Sequence, residues 1–234
     1  MAKNCAVSWS NSIARRTARL LLRSGVVLLR PAAPFRFASG LLSPIYCDNR
    51  LLISFPRQRR QITLLLARRL REEAIPAEVI AGTATAGIPH AAWLAAELAL
   101  PMVYVRPRPK EHGQEQQVEG MPPAGQHVVL VEDLVTTGGS ALESVQALRQ
   151  AGAWVEHVLT IFSYDFPTTA QAFAQAGVHL HPLTTLPTLL EVAVARGHLT
   201  PAERAAVEEW ARDPLGWSRA REAGPASGES RSEG

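Results

Sequence analysis

The chain is short of the features that would mark it as secreted, thiolate-bound or membrane-embedded. It has two cysteines in 234 residues, Cys5 and Cys47. Two do not make a disulfide framework or a metal site, and a reducing compartment is the simplest setting for them. No apolar stretch approaches the roughly 20 residues needed to span a bilayer. The best candidate, residues 20–29, is broken by Arg23, Ser24 and Gly25. No membrane association is expected, and a cytoplasmic location is. Aromatic residues are only 6% of the chain, and none interleaves with the arginines of "RQRRQITLLLARRLR", residues 57–71. Without stacking side chains beside the cations, a nucleic-acid partner is not expected.

Acid is also missing, but only from one end. The first 47 residues contain none, and residues 1–71 hold 14 Lys and Arg against a single acid, Asp48. The remainder holds 10 basic and 20 acidic residues, so +13 and −10 give the net +3. Such asymmetry fits either a polyanion-binding face or solvated basic helices. The acid-free N-terminus has transit-peptide composition. The same stretch, "IARRTARLLLRSG", also has the pattern of a first helix ending at Gly25.

What is present suits one domain. Apolar residues make up 47% of the chain, enough for a packed core. Residues 1–10 and the tail from 218 to 234 have disorder-like character, which leaves 11–217 as the folded domain. A helix is predicted over 12–24, with short strands near 26–29, 35–37 and 44–48. After these, helical and strand periodicities alternate: helix 57–73, strand 78–82, helix 87–100, strand 102–106, strand 127–132, helix 138–151 and strand 154–164. Helices near 168–176, 188–196 and 201–211 complete the pattern. Residues 107–126 carry three glycines, several prolines and few apolar side chains. A loop that long in a compact domain is usually functional or disordered. The alternation predicts an α/β fold, a doubly wound parallel sheet with right-handed crossovers. Such sheets bind ligands at the carboxyl ends of their strands.

One of those ends reads "HVVLVEDLVTTGGSALESVQALRQAGA", residues 127–153. An apolar run leads to two acids, Glu132 and Asp133. Leu134, Val135, Thr136, Thr137, Gly138, Gly139 and Ser140 follow, and then an amphipathic helix. Glycines at a strand-to-helix turn let backbone N–H groups converge, and the next helix contributes free donors and the positive end of its dipole. The hydroxyls of Thr136, Thr137 and Ser140 add donors. The loop is neither a Walker A sequence nor a dinucleotide fingerprint. Glu132 and Asp133 repel phosphate, but they suit sugar hydroxyls or a hydrated magnesium ion. Together the segment is a cradle for a sugar phosphate.

"VVLVEDLVTTGGS" resembles the 5-phosphoribosyl-1-diphosphate (PRPP) signature of type I phosphoribosyltransferases. Three further segments resemble the orotate phosphoribosyltransferases of that family. "YVRPRPKEHGQEQQVEG", residues 104–120, is similar to their flexible catalytic loop, with an Arg, then a Lys, then His-Gly. "FASGLLSPIYCDNR", residues 37–50, is similar to their N-terminal segment. "AGTATAGIPHAAWLA", residues 81–95, is similar to their diphosphate-binding loop and its helix. The resemblance runs from about Ile13 to Trp217. It implies a small N-terminal hood, mainly residues 11–50, over the sheet. It also implies transfer of the phosphoribosyl group of PRPP to orotate, giving orotidine 5′-monophosphate and diphosphate in pyrimidine synthesis.

The resemblance assigns PRPP to residues 132–140 together with Arg106, Lys110 and His112. Arg106, Lys110, His112 and Asp133 become the catalytic set, and Thr136 lies on the orotate side. Magnesium would arrive on the substrate oxygens with few direct protein ligands. A homodimer is implied, in which Arg106 and Lys110 act across the interface. Donors on a mobile loop fit this role, because closure places charge where the departing diphosphate develops it and excludes water. The remaining histidines, at positions 90, 127, 157, 179, 181 and 198, have no spacing that suggests a metal or a catalytic base.

Three positions depart from the pattern. Leu42, Pro107 and Ala86 stand where some family members carry Lys. Arg108 and Arg50 are the candidates to replace the missing cation at 42. A PRPP-binding regulator without catalysis and a phosphoribosyltransferase for another base are the competing expectations. The intact Lys110–His112 loop argues against the first, and the orotate-like segment at 37–50 against the second.

Overall fold

The structure is a computed structural model that describes residues 2–37, 39–108 and 117–222. The chain opens with helix α1 (Ala2–Arg23), then strands β1 (Val27–Leu29), β2 (Phe35–Arg36), β3 (Leu42–Ser43) and β4 (Ile45–Cys47). A 3-10 turn (Asn49–Ser54) leads into α2 (Pro56–Glu72) and β5 (Val79–Thr83). There follow α3 (Gly87–Leu98), β6 (Met102–Val105), β7 (Val118–Glu119), β8 (His127–Val135) and α4 (Gly139–Gln150). The chain continues through β9 (Trp154–Ser163), α5 (Pro167–Gln175), β10 (His179–Thr185), α6 (Leu186–Ala195), α7 (Pro201–Arg212) and α8 (Pro214–Glu222).

Among the described residues the main sheet has six strands in the order β10-β9-β8-β5-β6-β7. All neighbours are parallel except β6 and β7, which form an antiparallel edge pair. Alternate residues of each strand enter different cores, as the two-residue period requires. Ile80, Val129, Val131, Leu159 and Ile161 pack with α1, α2, α3 and α6. Val79, Ala81, Val128, Leu130 and Val158 pack with α4 and α5 on the other face. Both faces are covered, which is why the strands read as nearly continuous apolar runs. From β5 the chain moves one way to β6 and later the other way to β8. The crevice at the carboxyl ends of β5 and β8 is therefore the switch point where this kind of sheet binds ligands.

The hood is built from two antiparallel pairs, β1 with β4 and β2 with β3. Helix α8 closes over it. The Leu42 N–H donates to Ser218 Oγ at 2.9 Å, and Trp217 and Ser218 are buried. The ordered fold thus runs past the expected end at 217, because Ser218 is buried against Leu42 and α8 continues to Glu222. Residues 223–234 of the expected tail lie outside the described residues. Helix α1 starts at Ala2, ahead of the expected start at 12. Strand β10 was not expected. Its sequence "HLHPLTT" lacks a clean apolar alternation and contains Pro182, which an edge strand tolerates. No described helix is long and apolar enough to cross a membrane.

Candidate active site

Strand β8 does not stop at the acids. It continues to Val135, so Glu132 and Asp133 lie inside the strand, three and two residues before its end. Glu132 is buried to 5% exposure. Its Oε2 accepts from Ser140 Oγ at 3.4 Å, and its Oε1 accepts from the Asp133 N–H at 3.1 Å. Burial, reinforced by the adjacent Asp133 carboxylate, pushes the Glu132 carboxyl up to about 8. Burial also raises Asp133. Two carboxylates this close and this desolvated do not both ionise readily, and the pair holds a proton into the neutral range. Such a pair is an acceptor-rich surface for a diol or a hard cation.

Beyond the strand, Thr136 and Thr137 are exposed and Gly138 takes φ +88° as the cap of α4. A side chain is excluded there twice over. The left-handed φ disfavours it, and a Cβ would come within 2.4 Å of Phe173 Cε2. Helix α4 has no side-chain cap and no acid in its first turn. Its leading amides are therefore open donors at the positive end of the dipole. The loop is held from behind by Thr169 of α5, whose hydroxyl donates to the Thr136 carbonyl at 2.6 Å.

The neighbouring strand β5 ends in a second turn of the same kind. Ala84, Thr85 and Ala86 lead into α3, which also lacks a side-chain cap, and the Ala84–Thr85 peptide is cis. Gly87 lies so close to β8 that a Cβ would sit 2.4 Å from the Val131 carbonyl oxygen. Gly82 meets the start of α3 in the same way, with 2.9 Å to Ile88 Cα. The two turns thus stand side by side, and each presents backbone amides.

A third element is the foot of the long loop. The Arg106 N–H donates to the Gln117 carbonyl at 2.9 Å, and Gln117 Nε2 donates back to the Arg106 carbonyl at 2.8 Å. The Arg106 guanidinium reaches Glu119 at 3.7 Å. Lys110 and His112 lie outside the described residues.

The structure brings together Glu132, Asp133, the segment from Leu134 to Ser140 and the turn at 84–87. Leu42 is buried in the hood core. Arg50 is clamped by Asp48, with Nε to Oδ1 at 2.7 Å and Nη2 to Oδ2 at 2.9 Å. Its charge is still felt by Asp133, whose carboxyl it lowers against the upward push of burial. Arg108 is exposed at the start of the loop. Sequence reasoning missed Asn49, a buried residue whose Nδ2 donates to the Asp133 carbonyl at 2.6 Å. The only signal was its place in "CDNR", between two charged residues in an otherwise apolar stretch. Sequence reasoning also did not anticipate the Gly82 and Gly87 contacts, which depend on how α3 seats against β8.

A family model described as a phosphoribosyl transferase domain matches residues 56–168. The chain is 45% identical to the orotate phosphoribosyltransferase of Listeria monocytogenes serotype 4b (strain F2365), over 89% of this chain and 100% of that one. It is 47% identical to the orotate phosphoribosyltransferase of Cutibacterium acnes (strain DSM 16379 / KPA171202), over 90% of this chain and 98% of the relative. The crystal structure of orotate phosphoribosyltransferase from Aeropyrum pernix aligns with a TM-score of 0.66 and 36% identity, covering 74% of this chain and 96% of that one.

Proposed function

The chain belongs to the orotate phosphoribosyltransferases, of the type I phosphoribosyltransferase family, and we propose that its two neighbouring amide-lined turns divide one substrate, PRPP, between them. The reaction is transfer of the 5-phosphoribosyl group from PRPP to orotate, a step of pyrimidine synthesis. Residues 136–140 and the start of α4 take the 5′-phosphate. Glu132 and Asp133 take the ribose hydroxyls. The turn at 84–87 takes the diphosphate. The observation that carries this reading is the buried acid pair followed, in register, by an uncapped helix N-terminus.

In the reaction an orotate ring nitrogen bonds to C1 as the C1–O bond breaks, and the bonding pair leaves on diphosphate. The sugar passes through an oxocarbenium-like state beside Asp133, whose carboxylate stabilises that positive charge. Arg106, Lys110 and His112 stabilise the growing negative charge on the leaving group. Thr136 borders the base. Magnesium fits the donor set, since Glu132 and Asp133 offer only oxygen ligands. Bound with PRPP, it would supply positive charge to the substrate oxygens.

A homodimer is part of the reading, with the catalytic loop reaching the partner's site. It is supported by an exposed apolar face on the 3-10 turn, where Leu51 and Ile53 are each about two-fifths exposed. Arg59 ties this face together, donating to the Ile53 carbonyl at 2.9 Å and lying 4.9 Å from the Trp93 ring centroid. A cytoplasmic location suits the free Cys47 thiol.

The test is loss of orotate absorbance with purified protein, PRPP and magnesium, with hypoxanthine, adenine and uracil as parallel substrates. Orotate turnover that needs both PRPP and magnesium is expected. PRPP binding without turnover of any base would contradict the catalytic assignment.

A further inference from the structure

The basic first third of the chain forms a feature that catalysis does not use. Arg16, Arg19 and Arg23 lie on one face of α1, spaced three and four residues apart as a shared face requires. The first turns of α2 bring Arg57, Gln58 and Gln61 to the same groove, and Arg196 closes it from the end of α6. With Leu20 and Ser24 these residues enclose a cavity of about 470 Å³. No acid lines it. The nearby Glu191 is engaged elsewhere, by Arg15 at 2.9 Å. Among the described residues none of the five guanidinium groups has a carboxylate partner.

Five like charges facing one cavity repel one another, weakly because water and salt screen them. A multivalent anion converts that repulsion into attraction. Helix α2 adds to it. Its cap, Phe55, makes no side-chain cap bond, and Pro56 stands at its first position. The amides of Arg57 and Gln58 are thus free donors at the positive end of a 17-residue helix. The planar guanidinium fork matches phosphate oxygens in pairs.

The cavity volume lies within the roughly 300–1,000 Å³ of small-molecule sites. No aromatic residue lines it, so a base would find nothing to stack on. A nucleic-acid track is disfavoured because no aromatic side chain interleaves with these cations, and three other arginines of α2 are engaged elsewhere. Arg59 is held by Ile53 and Trp93, while Arg68 and Arg69 are paired with Glu72 and Glu73.

We propose that the α1–α2–α6 cavity is a second anion site, separate from the PRPP cradle, that binds a chain of linked phosphoryl groups. The ligand is recognised by its phosphates, whether carried by a nucleoside triphosphate or free as inorganic polyphosphate. None of residues 84–87, 106 or 132–140 lines the cavity, so its occupant does not compete with PRPP for those groups.

The experiment is calorimetric titration of inorganic tripolyphosphate into the full-length protein and into an Arg16→Glu/Arg57→Glu variant. ATP, UTP and a single-stranded RNA oligomer are run in parallel. The wild type should show one more tripolyphosphate site per chain than the variant. Affinity at that site should fall by about 100-fold or more in the variant, the scale of two lost charge-assisted contacts. Orotate turnover and the KM for PRPP should not change. ATP and UTP matching tripolyphosphate at this site would show recognition of the phosphate chain alone. Much tighter nucleotide binding would make the triphosphate nucleotide the source, and absent nucleotide binding would make it inorganic polyphosphate. An Arg16→Gln/Arg57→Gln variant should show the same loss with an undiminished thermal midpoint, which separates binding from folding. Equal stoichiometry in wild type and variants, loss of PRPP turnover together with the site, or binding of RNA without tripolyphosphate would each overturn the proposal.

Discussion

Asn49 Nδ2 donates a 2.6 Å hydrogen bond to the backbone carbonyl of Asp133, fastening the end of the hood to the strand that carries the acid pair. The contact joins residues 84 positions apart. Asn49→Ala should leave that carbonyl without its buried partner, a loss of about 1–3 kcal/mol. It should also raise the KM for PRPP more than it lowers kcat, because Asp133 would be displaced rather than removed. Urea unfolding and steady-state kinetics measure the two effects. A variant with wild-type stability and wild-type KM would show that the hood does not position the strand.

Gly138 faces two separate prohibitions, and they can be tested apart. Gly138→Ala forces a left-handed φ on a residue with a Cβ, at about 1–2 kcal/mol, and drives that Cβ into Phe173. We expect stability to fall and PRPP binding to weaken by at least tenfold. Adding Phe173→Leu should recover part of the stability and little of the binding. Full recovery of binding would mean that the clash, and not the loop conformation, governs the phosphate cradle.

Lys110→Ala should lower kcat by about 10²–10³-fold, the scale of one contact to charge that develops in the transition state. PRPP affinity should stay close to wild type, because the ground-state contacts belong to the two turns. Calorimetry with PRPP alone, beside turnover with orotate, separates these quantities. Parallel losses in both would reassign Lys110 to substrate binding.

His90, in the first turn of the helix that follows the 84–87 turn, gives the protein an acid-sensitive element. It is buried to 1% exposure and stands edge-on to Trp93 at 5.4 Å. Neither ring nitrogen has a hydrogen-bond partner among the described residues. Burial lowers its titration to about 4 from the ordinary 6.5. Below pH 6.5 the unfolded chain takes up this proton while the folded chain does not. Stability should therefore fall as pH drops from 6.5 to 4, by about 3 kcal/mol from this residue. In His90→Leu that share of the slope should vanish, as read from urea midpoints at a series of pH values. An unchanged slope would place the acid sensitivity in other groups.

The buried strands and the glycine turn after β8 were legible because their signals are local. A strand covered on both faces is a continuous apolar run, and a strand-to-helix phosphate turn needs glycine within a few positions of it. The acids were legible as residue types, although the strand runs on past them to Val135. The contacts made by Asn49, Gly82, Gly87 and Thr169 were not legible, since each is set by how distant elements seat together. Strand β10 was hidden because half of its sequence is polar. Its His181 turns instead to Glu73, the C-cap of α2, and to His157 of β9, and no local pattern encodes that arrangement.

The close approach of Gly87 to Val131 also bears on how such an enzyme can diverge. The gap between the 84–87 turn and β8 leaves no room for a methyl group, and main chain borders it. Adjacent strands in a sheet are spaced about 4.8 Å apart, and no side-chain substitution alters that spacing. On the proposed division of PRPP between the two turns, the distance from the sugar's phosphate to its leaving group is gauged by the sheet itself. Base preference can drift through the surrounding loops and the hood. The length of sugar the site accepts cannot drift without rebuilding the fold.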